Sequence, residues 1–158
     1  MRGHDEVIEL LNDVLTAELT AINQYFVQAE MCKNWGFERL YDALRDLSME
    51  EMKDTQHLVG HILYLEGVPN MQRLNQVLVG ENVREHFNLD LQTERAAVDF
   101  LREAITHCRN VEDYTTRRMF EEMIASEESH IDWLETQLET MRLVGEELYL
   151  NRQIMKPD

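Results

Sequence analysis

Apolar residues recur three and four apart along most of this chain, the spacing of amphipathic helices. The first such stripe runs from about Asp5 to Lys33, and Asn34-Trp35-Gly36 breaks it. A second runs from about Phe37 to Glu66 and stops at Gly67-Val68-Pro69-Asn70. Residues 67 to 81 have no clear period. Asn82, with Glu85 three residues on, resembles a capping pair and opens a third stripe that reaches about Arg109. Asn110-Val111-Glu112 makes a short turn; the fourth stripe continues to about Val144, where Gly145 ends it. Leu148, Leu150 and Ile154 suit one side of a short fifth helix before Pro157. The pattern predicts an all-α fold in which residues 1–158 form one domain, a bundle of four long helices with a short fifth. The aperiodic segment sets the topology. Fifteen extended residues span roughly 50 Å, and a helix of about 28 residues is roughly 42 Å long. The segment can therefore cross the whole bundle, leaving helices two and three parallel.

Several acids interrupt the apolar stripes. Glu127 and His130 lie one turn apart on the stripe of Phe120, Met123, Leu134 and Met141. Glu51 and Asp54 stand 76 residues before them, among Leu40, Leu44, Leu47, Leu58, Ile62 and Leu65. The same offset relates Glu18, among Leu11, Leu15, Ile22 and Tyr25, to Glu94, among Phe87, Leu91, Val98, Leu101 and Ile105. An unpaired carboxylate or imidazole in an apolar seam costs several kcal/mol, on the order of the desolvation penalty, so the acids need a partner. Four helices each pointing acids into one core describe a carboxylate-bridged dinuclear metal site.

Composition narrows the class. Two prolines, six glycines and abundant Leu, Glu, Met, Ala and Arg favour helix. The net charge of −16 disfavours nucleic acid and attracts cations, although most of the acids serve to solvate the surface. Cys32 and Cys108 are isolated, which disfavours a disulfide scaffold and suits a reducing cytoplasm. No stretch is long and apolar enough to span a membrane, and the polar start gives no secretory signal.

The chain resembles the bacterioferritins over nearly its whole length. The resemblance is carried by Glu18-Leu19-Thr20-Ala21-Ile22-Asn23-Gln24-Tyr25-Phe26, Asn34-Trp35-Gly36, Glu51-Met52-Lys53, Leu65-Glu66-Gly67-Val68-Pro69-Asn70 and Glu127-Glu128-Ser129-His130-Ile131-Asp132-Trp133-Leu134-Glu135. It implies a ferritin-like bundle that assembles into a cytoplasmic 24-subunit shell, oxidises Fe(II) with O2 or peroxide at a di-iron centre, and stores ferric mineral. Haem b would lie between subunit pairs, and a ferredoxin-like reductant would assist iron release. By position, Glu18, Glu51, Glu94, Glu127 and His130 look like the ferroxidase ligands, with Glu51 and Glu127 bridging and Glu18 and Glu94 terminal. Met52, rotated about 100° from Glu51 on a helix, looks like the haem axial ligand. Leu19, Ile22, Asn23 and Phe26 hold positions that line the haem pocket. Tyr25 is similar to a tyrosine beside the family's site, or is a core aromatic with a bonded hydroxyl.

Two positions depart from the family pattern. Asp54 stands where the family has its first-half histidine, so the metal set becomes Glu18, Glu51, Asp54, Glu94, Glu127 and His130. Aspartate reaches less far than histidine, which puts the oxidation rate in question. His57, one turn on, is either a replacement ligand or a surface histidine. Asp46 is the second departure; with Glu50 it either passes iron inward or is solvated acid. The favoured expectation is an iron-storage ferroxidase with haem. An alternative is a haem-carrying structural subunit, impaired at Asp54, that assembles with a second, active bacterioferritin subunit type. A peroxide-reducing enzyme like the rubrerythrins lacks its cysteine set here, and a DNA-protecting mini-ferritin would place its sites between subunits.

Overall fold

The computed structural model describes residues 1–156. Five helices follow in order: α1 (Asp5–Asn34), α2 (Glu38–Tyr64), α3 (Val83–Asn110), α4 (Tyr114–Val144) and α5 (Glu146–Gln153). No strand occurs among the described residues. The predicted boundaries hold to within two residues, and the expected stop at Pro157 lies outside the described residues. None of the helices is long and apolar enough to cross a membrane.

Short turns make α1–α2 and α3–α4 neighbouring hairpins, and both turns close in the same way. After α1, Phe37 N–H donates to the Cys32 carbonyl at 2.8 Å; after α3, Asp113 N–H donates to the Cys108 carbonyl at 2.8 Å. Each turn has one residue in the left-handed region, Gly36 at φ 91° and Glu112 at φ 61°. These equivalent residues are again 76 apart, so the internal repeat extends from the acids to the helix ends. Both cysteines are free and fully buried. Burial pushes the Cys32 thiol up to about 12 and the Cys108 thiol up to about 11, which keeps both protonated as packing groups.

The aperiodic segment is the crossover its length predicts. Asn12 Nδ2 donates to the Val68 carbonyl, Arg73 reaches Asp13 and Thr16, Asn75 N–H donates to Thr20, and Leu78 N–H donates to Gln24. The strap thus runs along α1 in α1's own direction. It starts where α2 ends, beside Gly3, whose N–H donates to the Leu65 carbonyl. It delivers α3 to the far end, where His86 stacks on Trp35 at 5.4 Å. Helices α2 and α3 are therefore parallel. Asn82 caps α3 by accepting from Glu85 N–H at 2.9 Å, while the Glu85 carboxylate reaches Glu81 N–H rather than the cap's own.

The fifth helix buries a different face from the expected one. Leu148 and Ile154 are exposed and Leu150 is partly covered. Tyr149 and Gln153, four apart, turn inward instead. Tyr149 meets Phe87 edge-on at 6.5 Å and donates its hydroxyl to Gln137 Oε1 at 2.8 Å. A two-turn helix covers the bundle with one narrow stripe, and a large ring with a bonded hydroxyl fills that contact.

The core is divided. One apolar cluster gathers Tyr25, Ala29, Leu44, Phe87, Leu134 and Tyr149; the other gathers Leu11, Leu15, Leu58, Ile62, Leu101 and Phe120. Along every long helix the seam acids fall between the residues of one cluster and those of the other. The bundle is two hydrophobic layers with a polar layer between them.

Candidate metal centre

In the polar layer, Glu51, Glu94, Glu127 and His130 bring one donor atom each within 4.8 Å of one another. Glu18, Glu51, Asp54 and Glu127 do the same. Glu51 and Glu127 belong to both groups, as two bridging carboxylates must. All five predicted catalytic residues are almost completely buried, and Asp54 is half-buried. His57 is exposed on the surface.

The donors lack partners. Glu18 Oε2, both Glu51 oxygens, Asp54 Oδ2, Glu94 Oε2, Glu127 Oε1 and His130 Nδ1 are buried without a hydrogen bond. Nδ1 lies 3.1 Å from Glu51 Oε1, 3.6 Å from Glu94 Oε1 and 3.7 Å from Glu127 Oε2. Buried polar atoms are normally satisfied, so a convergent set of orphans marks the place of a cation. Burial and the nearby Glu51 and Glu127 raise the Glu18 pKa well above the carboxylate range. Burial, then Glu127, brings Glu94 to about 8. Burial and Glu51, opposed by His130 and His57, bring Asp54 to about 6. Burial disfavours charge on His130, but the surrounding Glu127, Glu51 and Glu94 outweigh it and raise its pKa. Without a cation the cluster carries protons that a cation would displace.

Neighbours hold these donors from two sides. Tyr25 donates its hydroxyl to Glu94 Oε1 at 2.6 Å, which places it beside the site as the resemblance implied. Glu50 Oε2 lies 2.7 Å from His130 Nε2. Glu50 is therefore a support of the imidazole, a role its spacing from Asp46 did not suggest; Asp46 is exposed. A cavity of about 470 Å3 leads to Glu18, Glu94 and Glu127 from the α1–α3 side, beneath the strap. Arg73 borders it, held by Asp13 Oδ1 at 2.7 Å and Thr16 Oγ1 at 2.8 Å. Met52, 47% exposed, points away from the fully buried Glu51, as their 100° separation requires.

A model of the ferritin-like domain matches residues 8–144. The chain is 46% identical to the bacterioferritin of Mycolicibacterium paratuberculosis, over 99% of both chains. It is 47% identical to that of Streptomyces coelicolor, over 98% of this chain and 92% of the other, and 40% identical to that of Brucella melitensis, over 94% and 92%. The chain belongs to the bacterioferritin family.

Within this family frame the chain has a buried polar network that the seam acids did not foretell. Asp90 is fully buried and accepts from Gln24 Nε2 at 2.8 Å, while its Oδ2 has no partner. His86 is also fully buried; its Nε2 donates to the Gly80 carbonyl at 2.9 Å, and burial lowers its pKa. The available signal was spacing, because His86, Asp90 and Glu94 follow one another at four-residue intervals. Burial brings Asp90 to about 7, against an ordinary 3.8. The folded chain thus binds this proton more tightly than the unfolded one. Stability falls as pH rises from about 4 to about 7, where Asp90 must ionise in place. Asp90→Asn keeps an acceptor for Gln24 and removes that ionisation. In metal-free protein it should raise the calorimetric midpoint at pH 8, by an amount that shrinks as pH falls toward 4. A gain that is constant or larger at low pH would contradict this account of Asp90.

Proposed function

We propose that the protein oxidises ferrous iron at the four-helix centre and stores the ferric product within a closed shell of its own copies. The observation that supports this reading most is the set of unpartnered buried donors shared between two groups through Glu51 and Glu127. Carboxylate oxygens with a single imidazole suit iron. Glu51 and Glu127, common to both groups, would hold both ions, Glu18 and Glu94 would each complete one side, and His130 would offer Nδ1. Glu50 accepts a hydrogen bond from Nε2–H, which leaves the Nδ1 lone pair facing the cluster. The Tyr25 hydroxyl holds Glu94 in orientation. Protons displaced from Glu94, Glu18 and Nδ1 leave as cations bind, and the cavity beneath the strap supplies a path for ions and oxidant. Two ferrous ions yield two electrons. With two protons these reduce dioxygen to hydrogen peroxide, or peroxide to two waters.

A second reading is favoured by one residue. Asp54 is half-buried and shorter than an imidazole, so the Glu18 side captures ferrous iron less firmly. A ligand misplaced by about 1 Å costs on the order of 100-fold in rate. A chain impaired in this way would serve as a haem-carrying structural subunit beside an active one. Stopped-flow absorbance separates the two readings. We expect slow oxidation by the native protein, a faster initial oxygen-dependent phase in Asp54→His, and loss of that gain when Glu127→Ala is added. Native oxidation already fast, and slower in Asp54→His, would make Asp54 a competent ligand and remove the impaired-subunit reading.

Haem binding belongs to the same proposal. Ser48 Oγ donates to the Ile22 carbonyl at 3.0 Å, which brings the α1 stretch containing Leu19, Ile22, Asn23 and Phe26 against the Met52 region of α2. Phe26 and Met49 are exposed there along with Met52, an apolar surface suited to a two-fold contact around a flat cofactor. Met52→Leu fills a similar volume without a sulfur donor. It should keep the shell, judged by sedimentation, and lose the haem absorption bands. Haem retained with unchanged axial ligation, or a native protein that sediments as monomers and dimers, would contradict this part of the proposal.

A further inference from the structure

The repeat that relates the two halves of the chain makes one difference between them conspicuous. In one half, His130 offers Nδ1 to the cluster and its Nε2 is held by Glu50 across the α2–α4 contact. The 76-residue offset maps His130 onto Asp54 and Glu50 onto Ser126. Imidazole and supporting carboxylate are thus both replaced in the other half. Asp54 needs no such support, since a carboxylate has no tautomer to fix. The result is two unlike donor sets: Glu51, Glu94, Glu127 and His130 on one side, and four carboxylates, Glu18, Glu51, Asp54 and Glu127, on the other.

We infer that the two sides prefer different metals, the all-oxygen side taking a hard divalent cation of the manganese class while the imidazole side holds iron. The inference rests on the reading of the cluster as a two-metal site. Imidazole suits iron and the later divalent metals, and exchanging it for a carboxylate moves a site toward magnesium, calcium and manganese. Manganese suits this location best. It accepts octahedral oxygen coordination, and bridging glutamates can bring it close to a second metal. The all-oxygen side consists of more than surface acid. Glu18, Glu51 and Glu127 are at most 3% exposed, and Glu18 Oε2, both Glu51 oxygens, Asp54 Oδ2 and Glu127 Oε1 are unpartnered. The cavity beneath the strap reaches Glu18, Glu94 and Glu127, so a hydrated cation has a way in to the cluster.

The test is anaerobic competition on the assembled protein stripped of metal. Fe(II) is supplied with a tenfold excess of Mn(II), loosely bound metal is removed, and retained metal is counted by mass spectrometry, with Mn(II) EPR as a second readout. The native protein should retain one manganese and one iron per chain, with an EPR signal broadened by the neighbouring iron. Asp54→His should lower the manganese-to-iron ratio several-fold. Asp54→His with Ser126→Asp should lower it by about a further tenfold, because the new imidazole gains its supporting carboxylate. Native protein that holds two irons and no manganese, or a ratio unmoved in both variants, overturns the inference and leaves the two-metal reading standing. Native protein that retains neither metal in stoichiometric amount overturns both. The native measurement decides the matter even if a variant misfolds.

Discussion

Everything in this molecule answers to the cost of holding five carboxylates and an imidazole in the middle of a helical bundle. Without cations, that layer is tolerable only because protons remain on it, and the upward shifts of Glu18, Glu94 and Asp54 are the sign of this. With cations, the same groups become ligands and their mutual repulsion becomes attraction. The apolar clusters on either side hold the helices in place, so the donors would stay convergent without a metal. A pre-formed site of this kind trades stability of the metal-free chain for readiness to bind.

The repeat explains how one chain supplies a two-sided site. Each half provides a hairpin of long helices, a buried cysteine near the end of its first helix, a left-handed residue closing the turn, a lone glutamate and a Glu-x-x pair. Two such halves packed together put both sets of donors in the same layer. The crossover is what makes this packing possible, because it carries the chain from the end where α2 stops to the far end and lets the second hairpin run opposite to the first. Departures from that symmetry therefore stand out as local changes of chemistry on an unchanged frame. The exchange of His130 for Asp54 and of Glu50 for Ser126 is the clearest of them.

The four seams, the strap and the capping Asn82 were legible because each follows from local rules: helical period, chain reach and side-chain reach to a backbone N–H. The convergent buried groups were legible for the opposite reason, being acids and one imidazole where the period demands an apolar residue. Glu50 was not, since it is 53% exposed at its side chain and looks like any solvated acid until α4 is packed against α2. Asp90 and His86 escaped notice because their partners, Gln24 and the Gly80 carbonyl, come from α1 and from the aperiodic strap. The inward face of α5 was misjudged because its orientation depends on where Gly145 aims it, at φ 90°, and no periodicity within eight residues reveals that.

The central claim is that the buried layer is a two-cation site joined through shared glutamates. Anaerobic titration of the metal-free protein with ferrous iron, followed by calorimetry, addresses it most directly. The account predicts saturation at two ions per chain and loss of both when Glu51→Ala removes a carboxylate common to the two groups. Saturation at one ion or none, or a stoichiometry of two that survives Glu51→Ala, would contradict it.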